Sequence, residues 1–440
     1  MNKEIIIIGG GLAGCEAALY LAKAGWMVLL YEMRPEKQTP AHSTAYLAEL
    51  VCSNSLKSTR LDTASGLLKA EINALGGQLL HIADSCKVPA GQALAVDRDL
   101  FAQKVEASIS AEPNIELIRQ EICILPEVKT ILATGPLTSD AMMQTLSQVL
   151  GEKHLFFFDA IAPIIEETSI DYSRIYKKDR YDKGDADYLN CAFTKEEYLS
   201  FVEALLQGEK HAAHEFENEF FAGLKFNFYE NCMPIEELAR RGVDTLRHGV
   251  MKPMGLETPD GKKPYAVLQL RAENADKTAY NLVGCQTMLR YGAQKAIFRL
   301  IPGLENAEFL RFGSIHRNAY LNSPALLKED FSFKALPHIY LAGQLAGVEG
   351  YVECIGSGLV VAKVIAEGLR SLPAETIIGQ LWRHLCTTSE RKFQPINANF
   401  GILPRLGNEP KDKKAKKQMF SQRSLAALGC NNAADGDYSA

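Results

Sequence analysis

Three kinds of residue in this chain have types and spacings that could do chemistry: the glycines Gly9, Gly10, Gly11 and Gly14, the carboxylate Glu32, and the cysteines Cys52 and Cys232. The glycines read Gly9-x-Gly11-x-x-Gly14, directly after the apolar run Ile5 to Ile8. In a strand-to-helix turn of this kind the first glycine permits the tight bend. The second lets the backbone approach a pyrophosphate, and the third lets helix and strand pack closely. Amides around Gly10, Leu12 and Ala13 then lie at a helix N-terminus, where the peptide dipoles favour phosphate. Glu32, at the end of a second strand, is placed to accept hydrogen bonds from a ribose hydroxyl, which argues against a 2′-phosphate. The motif thus predicts an adenine dinucleotide site.

Elements that position these residues follow from the pattern. Ile5 to Ile8 reads as a strand buried on both faces, Cys15 to Ala24 as a helix ended by Gly25, and Met27 to Glu32 as the second strand. Arg34 to Leu61 is polar and broken by prolines, and reads as a long loop carrying Cys52. Helical patterns follow at Leu67 to Leu75 and Asp97 to Ser110, then a strand ending in Thr134-Gly135. From Phe156 the texture becomes aromatic-rich and charged, and at His338 a strand returns, ending in Gly343-Gln344 before a helix over Gly358 to Leu369. The fold class is α/β: a Rossmann-like FAD-binding domain with a parallel sheet, split by a smaller inserted α+β domain. Its segments are 1–155, 156–317 and 318–440. FAD is preferred over NAD because Thr134-Gly135 and the late Gly343-Gln344 suit a split flavin domain; a second complete glycine fingerprint is missing, which leaves NAD(P)H without a dedicated fold of its own.

Composition narrows the classes. A chain of 440 residues, 47% of them hydrophobic, exceeds what one core of about 250–300 residues holds. Net charge is −5, so the strongly basic footprint of many nucleic-acid binders is missing, though a local basic surface is not excluded. No apolar run approaches the ~18 residues of a membrane span, and no secretory signal opens the sequence. Ten cysteines without one CxxC pair read as reduced thiols in a cytoplasmic protein, with no metal site. A run of lysines, Lys411, Lys413, Lys414, Lys416 and Lys417, precedes a small-residue tail.

Cys52 sits in Leu50-Val51-Cys52-Ser53-Asn54-Ser55-Leu56, and Cys232 in Cys232-Met233-Pro234-Ile235-Glu236, where Pro234 suits the first position of a helix. A thiol at a helix N-terminus is more readily a thiolate. By residue type alone, a cysteine is more often a small buried hydrophobe than a nucleophile.

These segments, together with Ile7 to Ala18, Met251-Lys252-Pro253, Gly347-Val348-Glu349-Gly350-Tyr351 and Asn399-Phe400-Gly401, closely resemble the folate- and FAD-dependent tRNA uracil-5-methyltransferases along nearly the whole chain. The resemblance implies that a flavin reduced by NAD(P)H receives the one-carbon unit of 5,10-methylenetetrahydrofolate, and that the methyl group ends on C5 of the T-loop uridine at tRNA position 54. It implies that Cys232 is the thiolate adding to uracil C6, and that Cys52 is a second active-site cysteine near the flavin. Tyr351 stands either as a ring stacking on pterin or flavin or as a plain core tyrosine. Arg240, Arg241, Arg247 and Lys252 stand either as tRNA-backbone contacts or as a solvated face. The chain departs from the family pattern at Cys354-Ile355-Gly356. Three alternatives stay open at this level: the same chemistry on a uridine of 23S ribosomal RNA, a plain FAD/NAD(P)H oxidoreductase with redox thiols, and a flavin-binding RNA scaffold without turnover, in which the cysteines are replaceable. Folate and RNA are the expected partners, without membrane or stable protein partner.

Overall fold

The computed structural model describes residues 3–39, 41–151, 155–182, 185–210, 233–387, 393–407 and 410–430, with backbone alone for 155–160 and 315–317. Cys232, assigned a nucleophilic role above, lies outside the described residues.

The strands in chain order begin with β1 (Glu4–Ile8), β2 (Met27–Glu32), β3 (Ser55–Ser58), β4 (Lys87–Val88), β5 (Ala93–Val96), β6 (Ile115–Arg119), β7 (Thr130–Leu132) and β8 (Leu155–Ala160). They continue with β9 (Ile164–Glu166), β10 (Ile175–Lys177), β11 (Leu189–Phe193), β12 (Ala266–Ala272), β13 (Ala279–Leu282), β14 (Phe309–Arg311), β15 (Ile315–Tyr320) and β16 (Ile339–Leu341). A five-stranded sheet in the order β16-β7-β1-β2-β6 is parallel throughout. Ile5, Ile7 and Ile8 are buried within it, as a strand covered on both faces requires. A second, antiparallel sheet runs β10-β11-β12-β13-β9-β14. Each sheet has its own apolar cluster, the first drawn from both ends of the chain and the second from Ile165 to Ala307. The ribbon β8–β15, in which Leu155 pairs with Tyr320 and Ala160 with Ile315, carries the chain out of the first unit and back.

Six helices matter for the site: α1 (Leu12–Lys23), α2 (Ala64–Ala74), α3 (Arg98–Ala111), α4 (Lys195–Gln207), α5 (Tyr351–Glu367) and α6 (Lys413–Ala427). Asp97 caps α3 by accepting from the Leu100 amide, and Thr194 with Glu197 forms a reciprocal capping box on α4. In the second core, α4 sets Tyr198 and Phe201 against Phe193. The α1–α5 contact is close enough that a Cβ on Gly358 would stand 2.2 Å from the Ala13 carbonyl oxygen.

Several sequence expectations shift. The first helix starts at Leu12, not Cys15, and α5 starts at Tyr351, not Gly358. The loop Arg34 to Leu61 contains β3, which pairs with β5. Pro234 is the cap of the short helix Ile235–Arg240 and not its first residue. The lysine run opens the fifteen-residue helix α6.

Candidate active site: a dinucleotide cleft beside a thiol cavity

Gly9 takes φ +109°, and a Cβ there would lie 2.5 Å from the Ala133 carbonyl oxygen; a Cβ on Gly14 would lie 1.9 Å from that of Gly9. Both positions are therefore closed to any side chain by backbone. Gly11 differs, because a Cβ there meets nothing within 4 Å and would project into open space. That space is a cleft of about 1020 Å³, including its open mouth, lined among others by Gly9, Gly11, Leu12 and Ala13. Glu32, Thr134, Gly135, Gly343, Gln344 and Tyr351 also line it. Gly10 and Gly14 do not line it: Gly10 donates its N–H to Glu32 Oε2 at 2.9 Å, and Gly14 lets α1 meet the loop.

Glu32 is tied on its other oxygen as well, where Oε1 accepts from the Arg34 amide at 3.0 Å and from Arg34 Nε at 2.9 Å. Burial pushes this carboxyl up, but the Arg34 guanidinium and the Arg34 and Gly10 amides outweigh it and hold the group below its ordinary range. It stays ionised and keeps acceptor capacity toward the cleft. Arg34 also reaches Glu49, which accepts four hydrogen bonds from the amides and hydroxyls of Ser43 and Thr44. His42 lines the same end, and burial followed by the charge of Arg34 brings its imidazole down to about 4, so it is neutral near pH 7. On the other side the Thr134 and Thr138 hydroxyls meet at 2.7 Å, and the Gly343 amide donates to Ser357 Oγ at 3.0 Å. The open cradle at Gly11, the acceptor at one end and the start of α5 at the other fit FAD.

A second cavity, of about 1520 Å³ with its mouth, adjoins the cleft. Val51, Pro136, Leu137, Gln344 and Tyr351 line both. Cys52 and Lys57 enter the second cavity from the first unit, and Arg271, Asn281 and Gln286 from the second. The loop bearing Cys52 is fixed from four directions. Arg98 Nη1 donates to the Leu50 carbonyl at 2.7 Å, and Arg311 Nη2 to that of Val51 at 2.9 Å. Arg271 donates to Ser53 Oγ and Asn54 Oδ1, each at 2.8 Å. The Tyr351 hydroxyl accepts from the Cys52 amide at 2.8 Å and the Ser53 amide at 3.1 Å. Tyr351 is therefore a hydrogen-bonding wall between cleft and cavity.

A thiolate at Cys52 lies in the field of Arg98 and Arg311. By contrast, burial pushes the thiols of Cys15, Cys191 and Cys285 up, as expected of inert core cysteines. Asn281, which lines this cavity, is almost fully buried, and its side-chain NH2 has no partner among the described residues. Just past Cys232, Ile235 donates its amide to the Gln286 carbonyl at 2.7 Å, and Glu236 accepts from the Met288 amide at 2.7 Å and Thr287 Oγ1 at 2.9 Å. The segment after Cys232 is thus fastened to a strip of chain that lines the cavity at Gln286.

Sequence reasoning did not single out Arg98, Arg271, Arg311 or Asn281. Isolated arginines and asparagines carry no spacing signal, and their convergence depends on the second sheet. Of the basic residues near Cys232, Arg240 pairs with Glu237, and Arg247 pairs with Asp244 while lying 3.6 Å over the Tyr265 ring.

A parallel sheet with this glycine cradle, and a cleft extended to α5 from the far end of the chain, defines a flavoprotein of the split FAD-binding class. The chain belongs to the glucose inhibited division protein A family, whose model matches residues 4–373, and among proteins of known role it is 50% identical over 435 residues to the methylenetetrahydrofolate--tRNA-(uracil-5-)-methyltransferase TrmFO of Bacillus subtilis (strain 168). That alignment covers 97% of this chain and 98% of the relative. The enzyme of the same name from Koribacter versatilis is also 50% identical, with 97% of each chain covered. Among solved structures, Aquifex aeolicus GidA in its form I crystal shares the fold at a TM-score of 0.68 and 17% identity, covering 97% of this chain and 75% of that one.

Proposed function

We propose that this protein methylates C5 of the T-loop uridine of tRNA, taking the carbon from 5,10-methylenetetrahydrofolate and two electrons from NAD(P)H through bound FAD. One observation carries the reading: the dinucleotide cleft shares a wall, Tyr351 and Gln344, with a cavity that holds a cysteine and an unpaired amide donor. Bound in the cleft, the flavin supplies electrons and a carrier surface for the one-carbon unit. Gly9, Gly11, Leu12 and Ala13 would hold its pyrophosphate and Glu32 its ribose, with the first turn of α5 available to its ring system. The adjoining cavity takes the pterin and the uracil, with Asn281 donating to a ring carbonyl.

Cys232 adds its thiolate to uracil C6. The electron pair displaced onto C5 forms the bond to the one-carbon unit; a base removes the C5 proton as the bond from that carbon to its carrier nitrogen breaks; a hydride, its two electrons drawn from NAD(P)H, then reduces the exocyclic methylene to methyl as the C–S bond breaks and the thiolate returns. Such an addition is needed because uracil C5 is a poor nucleophile, and covalent catalysis divides one hard step into easier ones. Cys52, held by Arg98, Arg271, Arg311 and Tyr351, serves the transfer or the proton removal beside the flavin. The uridine leaves its stack to reach this depth. A domain division near the β8–β15 ribbon, close to 156 and 317, lets the inserted unit meet the RNA while the first holds the cofactor. Methylation of tRNA puts the protein in the cytoplasm.

The test is incubation of holoenzyme with unmodified tRNA, NAD(P)H and labelled methylenetetrahydrofolate, with ribosomal RNA in parallel. Label should enter tRNA, and Cys232→Ala should lose it while FAD stays bound. Undiminished transfer by that variant would remove the role of Cys232. Label in ribosomal RNA alone would change the target, and no label in either RNA would overturn the methyltransferase.

A further inference from the structure

We propose that the first turn of α6, with the chain just beyond β3, is a docking surface for the phosphate backbone of the RNA strand entering the thiol cavity; this rests on the RNA reading above. A notch on the surface is lined by Arg60, Asp62, Gln92, Lys413, Lys414 and Lys417. Helix α6 is fixed beside it, because Ser421 donates its hydroxyl to the Leu61 carbonyl and Ser424 donates to Glu71.

Positive charge is in excess here: Arg60, Lys413, Lys414 and Lys417 line the notch against the one carboxylate Asp62, which also lies in the field of Lys414 and Lys417. Asp62 is occupied by Arg60, and Asp412 accepts from the Lys414 amide at 3.3 Å and the Ala415 amide at 2.9 Å as the helix cap. Lys411, Lys413, Lys414 and Lys417 are exposed, and none pairs with a carboxylate among the described residues. Lysines in a first turn also oppose the helix dipole, which favours anions at that end. The arginines close to Cys232 in sequence are engaged with neighbours, so these lysines are the better candidates for phosphate.

RNA, and not an acidic protein, is favoured by reach. Lys57 lines the thiol cavity and Arg60 lines the notch, on either side of the end of β3. The three residue steps between them reach at most about 10 Å even if fully extended, and Lys57, at φ +65°, shortens the path. A strand with one nucleotide in the cavity therefore brings its neighbouring phosphates to the notch. Such contacts position the substrate without reading its sequence.

The test uses FAD-loaded enzyme and the triple variant Lys413→Gln, Lys414→Gln, Lys417→Gln, with a matching triple Lys→Arg variant. Affinity for an unmodified tRNA transcript is measured across a salt series. Each phosphate contact contributes roughly 0.7–0.9 to the slope of log affinity on log salt, so the Gln variant should lose about 2 in slope and bind ~10–100-fold more weakly at physiological salt. The Arg variant should keep wild-type slope and affinity. Because Gln removes charges that oppose the dipole, the melting temperature should not fall. Equal slope and affinity in wild type and the Gln variant would overturn the docking surface while leaving tRNA methylation standing. Loss of binding to anionic vesicles in the Gln variant, with tRNA affinity unchanged, would overturn it equally. A wild-type enzyme that neither binds nor methylates tRNA would overturn the underlying reading first.

Discussion

The dinucleotide cleft and the thiol cavity share a wall but are built in opposite ways. The cleft floor is made by one short stretch, Gly9 to Gly14, whose shape is set by a positive φ and two backbone contacts that no side chain fits. The thiol cavity has no such local floor. The loop carrying Cys52 is held by Arg98, Arg271, Arg311 and Tyr351, which arrive from helix α3, two strands of the antiparallel sheet and the start of α5. A local turn tolerates change elsewhere in the fold, whereas a convergent site depends on how the two units meet. Substitutions should therefore separate cofactor binding from transfer.

The largest expected effect is at the cleft floor. Gly14→Ala must push α1 away from a backbone oxygen 1.9 Å from the new Cβ, and should cost upwards of about 3 kcal/mol with loss of bound FAD. Gly11→Ala has open space for its Cβ, so its melting temperature should stay near wild type while FAD affinity falls about tenfold, ~1.4 kcal/mol. Thermal unfolding and flavin absorbance read both. Equal destabilisation by the two would show that the floor is not divided into packing and ligand-facing glycines.

Arg98→Ala tests the other region. Arg98 holds Glu273 of the antiparallel unit through Nε at 2.5 Å and Nη2 at 3.2 Å, with both side chains mostly buried. Its removal leaves Glu273 unpaired and the Leu50 carbonyl without its donor, at a cost of about 3 kcal/mol. Label transfer to tRNA should fall at a temperature where FAD remains bound. Loss of FAD in parallel with transfer would mean that the two regions do not separate in this way.

The smallest expected effect is on the pH dependence of the cleft. The folded-state pKa of Glu32 lies below its ordinary value of 4.5, so its contribution to stability is complete above that pH and lost as pH falls through the depressed value. The melting temperature of wild type should drop more steeply below pH 4.5 than that of Glu32→Gln, by a few degrees. Parallel curves would show that Glu32 is not held ionised by Arg34 and Gly10.

Much of the parallel sheet was legible because buried strands and the glycine turn write themselves into short stretches. The start of α5 was not. Gly356 and Gly358 lower helix propensity and hid the turns before them, yet the close approach of α1 leaves no room for a side chain at Gly358. Helix α6 looked like a lysine run and a tail, since its buried positions, Phe420, Ser421, Ser424 and Leu425, are half polar and find their partners far away in sequence, Ser421 at Leu61 and Ser424 at Glu71. The role of Tyr351 was open between a stacking ring and a core residue; a contact the sequence did not suggest is that of its hydroxyl, which accepts from the Cys52 and Ser53 amides.

By itself, the sequence determined the dinucleotide turn, because φ preference, close backbone approach and the helix dipole all act within one turn of chain. It also supplied the motifs around Cys52 and Cys232 that mark the family. Only the tertiary structure decided that Cys52 sits among three arginines, that Asn281 lines the same cavity, and that the lysines of α6 stand next to Arg60. Those neighbours lie far apart along the chain, and no local periodicity links them. Strand pairing and the packing of α6 on α2 bring them together.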